Sequence, residues 1–244
     1  MAAADDLADR CRSNLAAVRD RVVEACRRAG RDPGTVRLVG VTKYVSAGLT
    51  RMLLDAGCTD LAESRPQSLW EKSAAIADHD PTPRWHLVGH LQRNKIRRTL
   101  PLLTLLHSLD SLRLLEAIEA EAATAGIVCN ALIEVNVAGD PGRTGVMETD
   151  AAGLLEAAAG MPHVRILGLM GMAAAPEEDA TGSVARRQFA RLRGLRDELT
   201  GCMPTATGLP ELSMGMSGDF VEAILEGATL VRVGSALWEG IEAC

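Results

Sequence analysis

The chain has 244 residues, of which 47% are hydrophobic and 24% charged, and its formal net charge is −6. These values are typical of a folded globular protein and argue against disordered, collagen-like and low-complexity chains. The acidic excess and an aromatic content of only 2% disfavour nucleic-acid binding, which uses basic surfaces and stacking rings. We interpret the one basic run, residues 93–98, as the solvated face of a helix.

No apolar stretch reaches the roughly 18 residues that a membrane span needs. The amino-terminal residues lack the basic and then apolar profile of a signal peptide. Six cysteines are scattered without a Cys-x-x-Cys pair, and a chain of this length needs no disulfide bonds for stability. We therefore expect reduced thiols and a cytoplasmic protein that does not bind membranes.

The apolar pattern predicts one amphipathic helix followed by eight strands, each with a helix-compatible segment after it. Residues 7–22 repeat apolar side chains at steps of three and four, and Gly30 ends that opening helix. A β-branched strand follows at 36–43, and Ser46 can cap a helix that ends at Gly57. The other predicted strands are 60–64, 85–89, 105–110, 128–137, 165–172, 211–216 and 230–237.

Alternating strands and helices with nearly continuous apolar strands indicate a parallel sheet covered by helices. Eight such units in about 250 residues fit a (β/α)8 barrel of the TIM type, here with an extra N-terminal helix. A doubly wound sheet is the alternative. No linker or shift of composition marks a boundary, so we expect a single α/β domain over residues 1–244.

In such a barrel the functional residues lie at the carboxyl ends of the strands, and Lys43 occupies the first of these ends. The chain has three lysines, at 43, 72 and 95, and therefore 23 arginines among its 26 basic residues. A desolvated lysine can lose its proton and attack a carbonyl carbon, which arginine cannot do. Lys43 is a candidate nucleophile, and the alternative is a solvated strand end.

Small polar residues follow the predicted seventh and eighth strands. Ser217 or Asp219 can cap the helix after the seventh strand, and Gly234-Ser235 opens the helix after the eighth. Backbone N–H groups at two neighbouring helix N-termini form an anion cradle, and barrels often bind phosphate at these two loops. Turns use glycine and serine anyway, so only the pair of loops together indicates a phosphate site.

Two polar side chains are predicted in the barrel interior. Arg232 lies two residues before Gly234 and so on the same strand face; a structural ion pair with Asp110 or Glu134 is the alternative to a ligand. His86 could act as an acid or base, or be a satisfied interior donor. The sequence has no metal-ligand spacing, no Gly-x-Ser-x-Gly elbow and no Walker loop.

A nucleophilic lysine, a phosphate cradle and an inward arginine together suit pyridoxal 5′-phosphate (PLP), an aldehyde that carries a phosphate and a ring nitrogen. The chain resembles the pyridoxal phosphate homeostasis protein family from the opening helix to Ser235. The matching stretches are Val41-Thr42-Lys43, Trp85-His86-Leu87-Val88-Gly89, Leu91-Gln92-Arg93-Asn94-Lys95, Gly168-Leu169-Met170, Leu212-Ser213-Met214-Gly215-Met216-Ser217 and Val231-Arg232-Val233-Gly234-Ser235.

The resemblance implies the barrel of the alanine racemase N-terminal domain, standing alone, with PLP held as a Schiff base on Lys43. It implies a role in PLP (vitamin B6) homeostasis without established catalytic turnover, so we expect a non-enzyme. We also expect a monomer, with PLP-requiring enzymes as candidate clients. The cofactor-binding residues that it implies are Lys43, Ser64, His86, Ser213, Met216, Ser217, Arg232, Gly234 and Ser235.

The chain departs from the family at two places. It reads Ala62-Glu63-Ser64 where Gly-Glu-Asn is common, although Ser64 can still form a hydrogen bond. It has Arg143 in a region where the family favours lysine, which removes a second acceptor for PLP.

Two enzyme classes stay open as alternatives. A PLP-dependent racemase or decarboxylase would share Lys43 and the cradle but would need a partner base. Tyr44, which follows Lys43, would point to the opposite side in a continuous strand. Arg232 would face the ring nitrogen by analogy with racemases and could only donate to it. An aldolase-type barrel would use a Schiff-base lysine without a coenzyme.

Overall fold

Eight parallel strands close into a barrel in the computed structural model, in the order β1 to β8, with β8 paired to β1. The structure describes residues 2–140, 142–174, 183–202 and 208–241. The strands are β1 Arg37–Val41, β2 Asp60–Glu63, β3 Arg84–Leu87, β4 Leu103–Leu109, β5 Cys129–Val135, β6 Val164–Gly171, β7 Glu211–Ser213 and β8 Leu230–Val233. The helices are α1 Ala2–Arg28, α2 Ala47–Asp55, α3 Pro66–Ala75, α4 Ile96–Thr99, α5 Leu112–Ala125, α6 Glu148–Ala159, α7 Ser183–Cys202 and α8 Phe220–Leu225.

The predicted (β/α)8 barrel is confirmed, because a closed sheet leaves no place for the doubly wound alternative. All eight predicted strands are present, but several end earlier than predicted. β7 stops at Ser213 and is followed by a loop, whereas β8 stops at Val233 and is followed by a short 3-10 helix, Ser235–Leu237. The loop after β7 is bonded to β8 through Arg232 N–H, which donates to Gly215 O. The apolar residues therefore extend beyond the carboxyl ends of the strands, which is why the predicted strands are too long there.

The extra helix α1 covers one side of the barrel and packs against α2 and α8. Its apolar positions Cys11, Leu15 and Val18 are buried, as the three- and four-residue spacing predicts. On its polar side, Arg21 lies over the Phe220 ring at 4.5 Å from the centroid. No helix among the described residues is long and apolar enough to cross a membrane.

The basic run forms a short 3-10 helix, Arg93–Lys95, followed by α4. Ile96 and Thr99 face inward and are buried, whereas Arg97 is exposed. This is the solvated helix face that the sequence predicts.

The interior of the barrel is mixed. Its apolar part comprises Val39, Val41, Ala62, Leu105, Leu132, Met170 and Leu230. Between them lie polar groups that are almost completely buried, among them His86, His107, Ser213 and Arg232. A buried polar group must be hydrogen-bonded to avoid a large desolvation cost. These side chains therefore have to be placed so that they form hydrogen bonds with one another or with the backbone.

One glycine of β6 is required by a close approach of two strands. A Cβ atom at Gly168 would lie 1.8 Å from the carbonyl oxygen of Glu211 on β7. The register of β5 and β6 also shifts where Leu132 pairs with Gly168. Only a residue without a side chain fits here.

Gly168→Ala should therefore destabilise the barrel by about 3 kcal/mol, because backbone atoms must move to admit the methyl group. Gly153→Ala is the matched control, since α6 has no atom within 4 Å of a Cβ at that position and alanine favours a helix. Urea unfolding of both variants measures the difference. Equal stabilities would contradict the close-approach argument.

Candidate functional site

Lys43 lies in a turn just beyond β1, at the carboxyl end of the barrel. Its side chain is exposed, so the amine is not desolvated by burial. The next residue, Tyr44, has a φ of 75° and is 75% exposed. This left-handed turn breaks the strand alternation, and Lys43 Nζ lies 5.4 Å from the Tyr44 ring centroid. The opposite orientation predicted for a continuous strand therefore does not apply to Tyr44.

A second lysine supports the backbone in front of Lys43. Lys72 is buried, donates to the carbonyl oxygen of Thr42 at 2.7 Å and forms an ion pair with Glu63. Thr42 Oγ1 donates to the same Glu63 carboxylate at 2.6 Å. Both charges are buried but mutually satisfied. In the sequence, Lys72 is distinguished only as one of three lysines, and no pattern predicts this pairing.

The two predicted phosphate loops come together through Ser217. Its hydroxyl oxygen accepts hydrogen bonds from Gly234 N–H at 3.2 Å and from Ala236 N–H at 3.3 Å. Asp219 accepts from Met216 N–H at 2.6 Å, which closes the turn after β7. Within the described part of the chain, the N–H groups of Ser217, Gly218 and Ser235 have no acceptor. Converging N–H groups of this kind suit an anion.

The cradle lies next to the end of β1. Gly40 pairs with Val233, and a Cβ atom at Gly234 would lie 3.4 Å from Val41 Cβ. Trp238 donates its indole N–H to the carbonyl oxygen of Val41 at 2.9 Å. The loop after β8 is thereby fixed against the strand that leads to Lys43.

Arg232 is buried directly below this region, two residues before Gly234. It donates to Ser213 Oγ at 2.7 Å and to the carbonyl oxygen of Gly171 at 3.2 Å. No carboxylate of the described residues lies within 4.0 Å of its nitrogen atoms, so the proposed ion pair with Asp110 or Glu134 is not formed. Desolvation lowers the pKa of Arg232 to about 10, against the attraction of Asp219 and Glu134. The side chain stays charged at neutral pH.

His86 and Ser213, which were predicted as cofactor contacts, lie deeper in the barrel than the cradle. Both are fully buried. His86 Nδ1 is 2.9 Å from His107 Nε2, and His107 Nδ1 is 2.8 Å from Ser213 Oγ. Both are linked by hydrogen bonds to Arg232, and their contact with a cofactor stays a prediction.

The remaining predicted residues lie at the rim. Ser64 is half-buried just after β2, and its carbonyl oxygen would be 2.2 Å from a Cβ atom at Gly89. Met216 is 37% exposed on the loop after β7. Arg143 donates to the carbonyl oxygen of Ala173 at 2.6 Å, which ties the loop after β5 to the end of β6. The part of the chain that the structure describes contains no metal-ligating cluster.

The residues present fit a phosphorylated aldehyde. The unpaired N–H groups of the cradle suit a dianionic phosphate. The exposed amine of Lys43 is at the same end of the barrel, and the buried Arg232 lies below. These groups define a barrel that can hold a small anionic carbonyl compound at its carboxyl end.

Comparison with known proteins agrees with this class of site. Residues 13–241 match the family profile "Alanine racemase, N-terminal domain". The pyridoxal phosphate homeostasis protein of Aquifex aeolicus is 39% identical over 224 residues, which cover 92% of this chain and 95% of that one. The protein of the same name from Pseudomonas aeruginosa is 37% identical and covers 92% and 93%.

Two solved structures are informative. PipY of Synechococcus elongatus, determined with PLP bound, superposes with a TM-score of 0.81 at 32% identity and covers 93% of this chain and 99% of its own. Alanine racemase of Clostridium difficile has a TM-score of 0.74 at 13% identity, and its match covers 94% of this chain and 56% of the racemase. The second similarity shows the fold alone.

The fold and the site thus define a barrel of the alanine racemase N-terminal type. Within that class, the chain belongs to the family of pyridoxal phosphate homeostasis proteins.

Proposed function

We propose that this protein binds PLP at the carboxyl end of the barrel and serves PLP homeostasis. The observation that carries the proposal is the cradle of unpaired N–H groups beside the end of β1, two residues before Lys43. The relative with PLP bound supports the same ligand. When bound, PLP supplies an aldehyde that a primary amine can attack.

Lys43 is the amine that we assign to this attachment. Its Nζ would add to the aldehyde carbon, and one water molecule would leave as the Schiff base forms. Lys72 is occupied by Glu63 and the Thr42 carbonyl, and so cannot reach a ligand at the mouth without breaking a buried pair. Lys43 lies beyond the end of β1, in the turn in which Tyr44 is left-handed.

Borohydride reduction of PLP-loaded protein, followed by peptide mapping, should give a pyridoxyl adduct on Lys43. Lys43→Arg should abolish that adduct, because arginine stays protonated and does not form the bond, while thermal melting of the variant shows that the fold is kept. An adduct on Lys72 or Lys95 in place of Lys43 would refute the assignment. A protein without visible absorbance after PLP addition would favour an aldolase-type lysine instead.

The phosphate is held mainly by backbone in this proposal. Ser217 and Ser235 contribute N–H groups that any residue except proline retains, so their side chains matter less than the space around them. That space is limited at Gly234, where a Cβ atom already lies 3.4 Å from Val41 Cβ.

Ser235→Ala should weaken PLP binding by about threefold, as expected for loss of one hydroxyl contact. Gly234→Val should weaken it by at least about tenfold, because its branched methyl groups enter the cradle. Gly194→Val on α7, where no atom lies within 4 Å of a Cβ, is the control for valine itself. Equally tight binding by Ser235→Ala and Gly234→Val, measured by equilibrium dialysis, would reject the cradle.

We further propose that the protein does not turn over amino acids efficiently. Arg232 donates two hydrogen bonds to protein acceptors and stays charged. By analogy with the racemase barrels, its remaining N–H groups would face the ring nitrogen of PLP. Because arginine can only donate, that nitrogen would stay unprotonated and PLP would be a weaker electron sink. The curated relatives are named for homeostasis and not for a reaction.

The racemase alternative is supported by one observation, the proximity of Tyr44 to Lys43. A phenol beside the amine could act as an acid or base. Its ring is 75% exposed, however, and a water-exposed site weakens the electrostatic stabilisation on which catalysis relies.

PLP-loaded protein incubated with the enantiomers of alanine, serine, lysine and ornithine should show no racemisation or decarboxylation beyond that of free PLP. Chiral chromatography over many equivalents of substrate measures this. Multiple turnover that is lost in both Lys43→Ala and Tyr44→Phe would establish an enzyme instead and would assign the second base.

The same proposal extends to the cellular setting. A barrel that exposes its cofactor lysine could pass PLP to PLP-requiring enzymes in the cytoplasm. The five described cysteines are unpaired, as expected for reduced thiols, and Cys244 lies outside the described residues. We also propose that the protein acts as a monomer.

A further inference from the structure

A continuous series of hydrogen bonds crosses the barrel interior from the amino end of β2 to Arg232. Asp60 Oδ1 is 3.0 Å from His86 Nε2. The series continues over 2.9 Å to His107, 2.8 Å to Ser213 and 2.7 Å to Arg232. Its members come from β2, β3, β4, β7 and β8, and each is at most 5% exposed. We call this series the interior chain.

The two ends of the interior chain determine the direction of every bond in it. Arg232 has only donors, so Ser213 Oγ must accept from it. Ser213 then uses its own hydrogen to donate to His107 Nδ1. His107 carries its proton on Nε2 and donates to His86.

The hydrogen bonds run in the same direction from His86 to the Asp60 carboxylate. His86 accepts at Nδ1 and therefore donates from Nε2 to Asp60. Asp60, which also accepts from Arg84, is an acceptor on both sides. Every donor in the chain thus has an acceptor, from the guanidinium to the carboxylate.

If the hydrogen bonds ran in the opposite direction, one buried donor would be left without an acceptor. If His107 donated from Nδ1, Ser213 Oγ would accept from both His107 and Arg232. Its own hydrogen would then have no acceptor among the described residues, in a side chain with no exposed surface. A buried donor without a partner is costly.

The charges support this direction. Desolvation, followed by the neighbouring His86 ring and the positive charge of Arg232, lowers the pKa of His107 well below its usual value, so His107 is neutral. Burial would raise the pKa of the Asp60 carboxyl, but hydrogen bonds from Arg84 and His86 outweigh burial and keep that pKa well below its usual range. The negative charge of Asp60 is therefore fixed at one end of the chain and the positive charge of Arg232 at the other.

We propose that Asp60, His86, His107 and Ser213 act as positioning residues, which hold Arg232 as a fixed hydrogen-bond donor beneath the ligand. Asp60, which is paired with Arg84, is the terminal acceptor of the chain. Arg232 has no ion pair of its own, and the acidic charges that act on it are those of Asp219 and Glu134. The direction of the chain stands on the contacts alone, whereas its role toward PLP rests on the proposed function. Asp60 also borders a cavity of about 320 Å³ between α1 and the amino ends of β1 and β2, which is far from the carboxyl-end cradle along the barrel axis.

The direction can be tested without any ligand. Nitrogen-15 NMR of histidine-labelled protein distinguishes the two tautomers of a neutral imidazole, and His107→Gln assigns the signal by its loss. If that variant does not fold, removal of His79, His90 and His163 by glutamine leaves only the two interior histidines. We expect His107 to carry its proton on Nε2. A proton on Nδ1 of His107 would overturn the proposal.

The role toward PLP is tested by a double-substitution cycle. Ser213→Ala cuts the chain next to Arg232 and should weaken PLP binding by about tenfold. Asp60→Asn removes the remote charge and should weaken it by about threefold. In the Ser213→Ala background, Asp60→Asn should have no further effect, because the broken chain no longer connects Asp60 to Arg232.

The control is Glu226→Gln, which also removes a buried carboxylate that accepts from two side chains, Arg186 and Arg193, but outside the barrel. It should lower the melting temperature without changing PLP affinity. Additive effects of Asp60→Asn and Ser213→Ala, or an equal loss of affinity in Glu226→Gln, would show ordinary destabilisation and refute the positioning role. Failure of the wild-type protein to bind PLP would contradict the proposed function and leave the tautomer measurement to decide the direction of the chain.

Discussion

The buried guanidinium of Arg232 is the constraint around which the barrel interior is organised. A charge that is almost completely removed from water must find acceptors or the fold loses several kcal/mol. No carboxylate of the described residues is within ion-pair distance, so a serine hydroxyl and a backbone carbonyl take that place. The serine hydroxyl in turn needs an acceptor for its own hydrogen, and each further polar side chain, on the next strands, needs a hydrogen-bond partner as well. The polar residues of five strands therefore form one set rather than five separate choices.

Much of the architecture could be predicted because it depends on local pattern. The spacing of apolar residues in α1 and the β-branched run of β1 fix element type without knowledge of the partners. Lys43, Gly234 and Ser235 could also be identified, since strand ends and small residues have positional meaning in a parallel barrel. The prediction of a solvated helix face for the basic run at 93–98 is also correct. Its buried residues follow helical spacing, which is again a local pattern.

The features that could not be predicted depend on contacts between distant segments. His107 and Ser213 are 106 residues apart in sequence, and no spacing rule connects them. His107 carried no signal of its own, since a lone histidine in an apolar strand is compatible with many environments. Lys72 was visible only as a rare lysine, and its pairing with Glu63 required the helix after β2 to be placed on the sheet. The alternation rule predicts the orientation of Tyr44 only for an extended strand, and the left-handed turn ends that strand first.

Trp238 places a fluorescent side chain at the mouth of the barrel, next to the cradle. Its indole N–H is bonded to the carbonyl oxygen of Val41, and it follows Gly234 by four residues. The other two tryptophans lie elsewhere, Trp85 in the buried core and Trp70 beneath the guanidinium of Arg98. A chromophore that absorbs in the near ultraviolet and is held at the cradle would quench the emission of Trp238 by energy transfer. The arrival and departure of such a molecule could then be followed in real time from intrinsic fluorescence, without any added dye.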